Sequence, residues 1–137
     1  MGFFKADREG FDFILTTIHV VWGRKTDRVL EIKYINYLLE KIKEKAGGEN
    51  DIILCGDFNT PPEGFNLPSE WRPLIHNKTM VTSNNIYDNI WITSATGEYR
   101  SSGVVTSAGK LSDHFPVYAT FANYDDDKGV PDLDIKL

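Results

Sequence analysis

The chain has 137 residues, a net charge of −5 and one cysteine, which fits one domain able to bury roughly two thirds of its unfolded surface. Asn123 to Leu137 holds five Asp against two Lys, so the rest is close to balanced, and a polyanion partner would need a metal or a local basic patch. A lone Cys55 excludes an internal disulfide and argues against a structural zinc site; in its apolar run it reads as a small core residue.

The first strand runs from Phe11 to Trp22. Phe11, Phe13, Leu15 and Val21 lie on one parity, and Ile14, Ile18, Val20 and Trp22 on the other. A strand apolar on both faces expects cover on both, as in a layered α/β fold. His19 shares the parity of Phe13 and Leu15. The stretch from Phe13 to Trp22 is too short to span a membrane and is broken by Thr16, Thr17 and His19. Met1 to Lys5 lacks the hydrophobic segment of a secretory signal, so a soluble chain of unassigned compartment is expected.

A helix follows over Asp27 to Ala46, with Val29, Ile32, Ile35, Leu39 and Ile42 at helical spacing and Leu38 widening the stripe. Thr26 or Asp27 can cap its start, and Gly47-Gly48 supplies a left-handed exit. Asp51 to Cys55 then reads as a buried, parallel strand. Together the three elements form a right-handed crossover unit that delivers Asp57 and Asn59 at a strand's carboxyl end, where ligands bind in α/β sheets.

Pro61, Pro62, Pro68 and Pro73 make Thr60 to Asn85 a loop with at most a short helical turn, pinned by Trp71 and Leu74. Ile86 to Thr93 reads as a strand, with Glu98 to Thr106 its hairpin partner across Ala95-Thr96-Gly97. Ser107 to Ser112 is a small-residue loop, Pro116 to Ala122 the last strand, and 123–137 an acidic, frayed tail.

Each candidate site residue also has a structural reading. Asp57 could orient or deprotonate a water and Asn59 could donate to an anionic oxygen, or the pair could form an Asx turn. In Asp113-His114 the side chains diverge, so one could hold a metal while the other donates to a phosphate, or Ser112 could simply begin a turn. Asp88 could accept the second N–H of an imidazole, or be a strand-edge residue. His19 alone reads as a satisfied core histidine and His76 as a surface loop residue; Arg28, on the first helical turn, could approach phosphate or be a solvated helix charge.

In order, Thr17-Ile18-His19, Gly56-Asp57-Phe58-Asn59, Tyr87-Asp88-Asn89-Ile90 and Ser112-Asp113-His114-Phe115-Pro116-Val117 resemble the endonuclease/exonuclease/phosphatase superfamily, the deoxyribonuclease I-like proteins. The likeness runs from Phe11 to Phe121. It implies an α/β fold, half of a four-layer αββα sandwich: a mixed β-sheet with one long helix on its outer face, residues 1–122 forming the carboxyl-terminal half. The amino-terminal half, with an Asn and a Glu of the metal site, would precede the Thr-x-His strand, and Phe3-Phe4-Lys5 looks like the lead-in joining the halves.

The implied roles are Asp57 for the attacking water, Asn59 for the transition state, His114 as donor to a phosphate oxygen and Asp88 as holder of its ring. Asp113 would ligate Mg²⁺ or Mn²⁺ (Ca²⁺ being a further candidate), and His19 would be a second acid or phosphate donor. The implied activity is metal-dependent phosphodiester hydrolysis, on DNA or RNA; a phosphatase for lipid or inositol phosphates shares the chemistry, and a non-catalytic module retaining the site residues is the alternative from another class. A half-fold also implies an open apolar sheet face, with Phe11, Phe13 and Leu15 or the opposite parity as the surface for self-association or a partner chain.

Overall fold

The computed structural model describes residues 1–5, 10–109 and 111–123; the acidic stretch from Tyr124 onward lies outside them. Among the described residues, seven strands and one long helix follow in chain order: β1 (Gly2–Phe4), β2 (Phe13–His19), α1 (Lys25–Lys45), β3 (Ile52–Asp57), β4 (Trp71–Pro73), β5 (Asp88–Thr93), β6 (Tyr99–Val104) and β7 (Val117–Phe121). A five-stranded sheet has the order β1-β2-β3-β5-β4, and β6 and β7 form a separate two-stranded ribbon. β2 and β3 are parallel and joined through α1, as the crossover pattern predicts, while the other pairs are antiparallel.

Period-two alternation in β3 and β5 serves two cores. Ile52, Leu54 and Trp91 pack with Ile14 under Ile32, Ile35, Leu39 and Ile42 of α1. Ile53, Ile90 and Ile92 face the other way and join Leu15, Cys55, Val117, Ala119 and Phe121. The molecule is therefore helix, sheet and ribbon, and the expectation of cover on both faces holds. Phe11, Phe13 and Leu15 are half-buried rather than open, because Phe11 stacks on both Phe13 and Phe121, with ring centroids 5.0 and 5.2 Å apart. No described helix is long and apolar enough to cross a membrane.

Four local expectations are corrected. β6 does not pair with β5: both edges of β5 are already taken by β3 and β4, so the chain leaves the sheet after Thr93 and β6 finds β7 instead. The Thr60–Asn85 segment contains, besides a helical turn at Pro62–Gly64, the short strand β4; Pro73 is tolerated there because β4 is an edge strand. The helix begins at Lys25 after Arg24, which makes no side-chain cap; Asp27 lies in the first turn and accepts from the Arg24 guanidinium at 3.1 Å. Val29 and Leu38 are exposed, so the buried stripe is narrower than the sequence pattern suggests. The exit through Gly47 and Gly48 is left-handed as predicted, with φ of 62° and 106°.

Candidate active site

The sheet register lines up the first three candidates. His19 at the end of β2 is opposite Asp57 at the end of β3, and Asp57 is opposite Asp88 at the start of β5. Directly opposed residues share a face, and by alternation this is the face of Leu15, Cys55 and Ile90, toward the ribbon. The row sits at the rim, beyond the apolar contacts. His19 is consequently no core histidine: its side chain is 76% exposed, and its Nε2 lies 3.6 Å from the Asp57 carboxylate.

The fourth member arrives from the ribbon layer. His114 precedes β7, and its Nδ1 is 2.8 Å from Asp88 Oδ2. Its loop is tied down on both sides, since Phe115 N–H donates to the Thr79 carbonyl at 2.7 Å and Val81 N–H to the Asp113 carbonyl at 2.9 Å. Thr79 is fully buried, and its hydroxyl oxygen accepts from Tyr87 N–H and Asp88 N–H at 2.9 and 3.0 Å. One threonine thus fixes both the His114 loop and the start of β5. Nothing in the sequence marks it, because it lies in an irregular loop.

Ligand atoms of Asp57, Asp88 and His114 lie within 4.8 Å of one another. Asp113 is outside this trio; it is exposed, and one of its carboxylate oxygens accepts from Ser112 at 3.4 Å. Ser112 also accepts from His114 N–H at 3.1 Å, which is the turn contact that its structural reading expects. Asn59 is buried, with φ of 45°. Its side-chain N–H donates to the Val20 carbonyl at 2.7 Å, and its backbone N–H donates to Asp57 at 2.9 Å. In this conformation the amide ties the exit of β2 to the exit of β3, a scaffold contact not legible in the Asp-x-Asn spacing. Arg28 is half-buried rather than solvated and reaches the Asn59 carbonyl at 3.4 Å. His76 is an exposed loop residue.

Partial burial of the His114 ring opposes its charge. The hydrogen bond to Asp88 and the negative charges of Asp88, Asp57 and Asp113 outweigh that cost and hold its pKa above the usual 6.5. A raised folded-state pKa means that protonation favours folding below the unfolded value, and that this contribution is lost as pH rises through the folded value. In metal-free protein, a pH titration of the His114 ring signals by NMR should give a midpoint above 6.5. Asp88→Asn should move it down, and an unchanged midpoint would show that the Asp88 contact does not hold the charge.

No protein-family model matches the sequence, and no curated protein does. Solved structures do match. A functionally unknown conserved protein from Enterococcus faecalis V583 superposes with a TM-score of 0.69 at 19% identity, over 89% of this chain and 54% of its own. An endonuclease/exonuclease/phosphatase family protein from Bacteroides thetaiotaomicron gives 0.66 at 23%, over 90% and 54%. The fold is that of the endonuclease/exonuclease/phosphatase structures. A humanized Danio rerio TDP2 matches with a TM-score of 0.59 at 20% identity, over 80% of this chain and 55% of that one. The chain thus spans about half the length of the structures it matches, as expected for half of the αββα sandwich.

Proposed function

We propose that this chain carries the Asp57, Asp88 and His114 part of a divalent-metal-dependent phosphoesterase centre that hydrolyses phosphodiesters in the manner of a nuclease. The observation that carries the reading is the convergence of those three side chains, from β3, β5 and the loop before β7, at one rim of the sheet.

The donor set fits Mg²⁺ or Mn²⁺. Asp57 and Asp88 offer hard carboxylate oxygens, and Mg²⁺ is commonly held by one or two carboxylates with waters filling the remaining positions. Asp113, one residue from His114, is an added oxygen donor on the resemblance alone. A bound cation would neutralise charge on the phosphate and favour a hydroxide-like nucleophile.

The chain's own residues supply the rest. Asp57 orients the attacking water and accepts its proton. Asp88 accepts from His114 Nδ1–H and, with the neighbouring carboxylates, favours the protonated ring, in which the Nε2 N–H is also present to donate to a phosphate oxygen. His19 brings a second imidazole on the far side of Asp57, for the phosphate or the departing ester oxygen. Asn59 holds the strand exits together, and its remaining amide N–H is the donor toward the transition state.

Calorimetric titration with Mn²⁺ tests this reading. One saturable site is expected, weakened about tenfold or more by Asp57→Asn or Asp88→Asn and unaffected by Glu44→Gln on the far surface. Absence of saturable binding would overturn it. Loss of one acid or base group costs about a hundred- to ten-thousandfold in rate, and the chain covers about half of the structures it matches. Plasmid DNA or a chromogenic phosphodiester in Mg²⁺ should therefore be cleaved close to background by this chain alone. Robust cleavage abolished by Asp57→Ala would contradict that expectation.

A further inference from the structure

Trp22 has no role in either core. It follows β2 by three residues and is 67% exposed, whereas Trp71 and Trp91 are each 5% exposed. Yet its ring is held from two directions. The Arg28 guanidinium lies over it at 5.6 Å from the centroid, and the Tyr87 ring stands against it at 5.9 Å with a 55° tilt.

Each neighbour is also tied to the row of site residues. Tyr87 directly precedes Asp88, and its carbonyl accepts from Phe58 N–H at 2.7 Å. Arg28 reaches the Asn59 carbonyl, and Asn59 in turn holds Val20, two residues before Trp22. A large, exposed aromatic ring is thus fixed in place beside a phosphate-directed site, with a cation backing it. Such a ring has two uses for a planar ligand: a π-face for stacking, and a fixed position that lowers the ordering cost of binding.

We infer that Trp22, backed by Arg28 and Tyr87, is a stacking subsite for a nucleobase attached to the phosphodiester that the Asp57–Asp88–His114 site takes. The inference rests on the proposed phosphodiester reading and adds the substrate class to it. Trp22 is a specificity residue here, touching the base and not the reacting atoms. Arg28 and Tyr87 position it.

The test uses two phosphodiesters of equal charge in Mg²⁺: the dinucleotide thymidylyl-thymidine, and diethyl phosphate, which has no ring. Tryptophan fluorescence reports on Trp22, the exposed indole, and NMR shifts of the His114 ring report on the phosphate site. The dinucleotide should quench the fluorescence saturably and shift His114. Trp22→Leu should weaken its binding about tenfold, within the range that base–aromatic stacking supplies, while the His114 response to diethyl phosphate stays the same. Trp22→Phe should restore most of the lost affinity.

Equal dinucleotide affinity in the parent and Trp22→Leu would overturn the subsite and leave the phosphodiester reading standing. Quenching of Trp22 without any shift at His114 would also overturn it, by separating the ring from the site. If neither compound disturbs His114, both readings fall together. Trp22 is largely in solvent, so its replacement should leave the circular dichroism spectrum and melting unchanged.

Discussion

Replacing Gly56 by alanine is expected to destabilise the chain severely. Gly56 has φ of 147°, a conformation that residues with a side chain rarely adopt, and an added Cβ would sit 1.9 Å from the Ile18 carbonyl oxygen. That atom is backbone of the parallel neighbour β2, paired with Gly56 in the sheet register, so it cannot swing aside as a side chain would. Strain and overlap together place the cost above about 4 kcal/mol, a large part of the roughly 5–15 kcal/mol that holds a domain folded. Denaturant melts should show the loss directly. Gly23→Ala is the control, since nothing lies within 4 Å of the added carbon, and its midpoint should stay near the parent's. A Gly56→Ala protein within about 1 kcal/mol of the parent would show that β2 and β3 do not approach as described.

Phe58→Ala should cost about 3–5 kcal/mol, the usual loss for a large buried aromatic. Phe58 stands between Asp57 and Asn59 in sequence but is 2% exposed. Its ring meets the edge of Phe65 at a centroid distance of 4.6 Å and lies 6.3 Å from Trp91. This aromatic group fastens the loop after β3 to the core, so the same substitution should loosen Asp57 and Asn59. Urea unfolding measures the first effect. The second is a weaker response of the site to Mn²⁺ under conditions where the variant is still folded. Phe58→Leu, which keeps much of the apolar volume, should lose less on both counts, and equal losses would point to a cause other than packing.

Much of this fold is legible in the sequence. The apolar run ending in Gly56-Asp57 reads as a buried strand delivering polar groups at its exit, and the Ile32, Ile35, Leu39 and Ile42 spacing reads as one face of a helix. What failed was pairing, not periodicity. A short turn between two β-rich segments suggests a hairpin, but whether β5 has a free edge depends on β3 and β4, which are distant in sequence. β4 itself was hidden by Pro73, acceptable only because no strand lies beyond it.

The site shows the same division. Asp57, Asp88 and His114 stand out as residue types at strand ends, and the structure brings them together. The direction of the Asn59 amide depends on a left-handed backbone, and the exposure of His19 depends on where the ribbon's cover stops. Neither is encoded in local spacing. Thr79 is hidden for a related reason: it bonds backbone groups from two separate segments, and no pattern around it announces that.

Addition of Mn²⁺ to the isotopically labelled chain, followed by paramagnetic broadening in NMR spectra, tests the central claim most directly. The account predicts that signals of Asp57, Asp88 and His114 disappear first and together, that His76 is spared, and that Asp57→Asn delays the loss. Broadening that begins elsewhere, or that spreads evenly over the acidic surface, would contradict it.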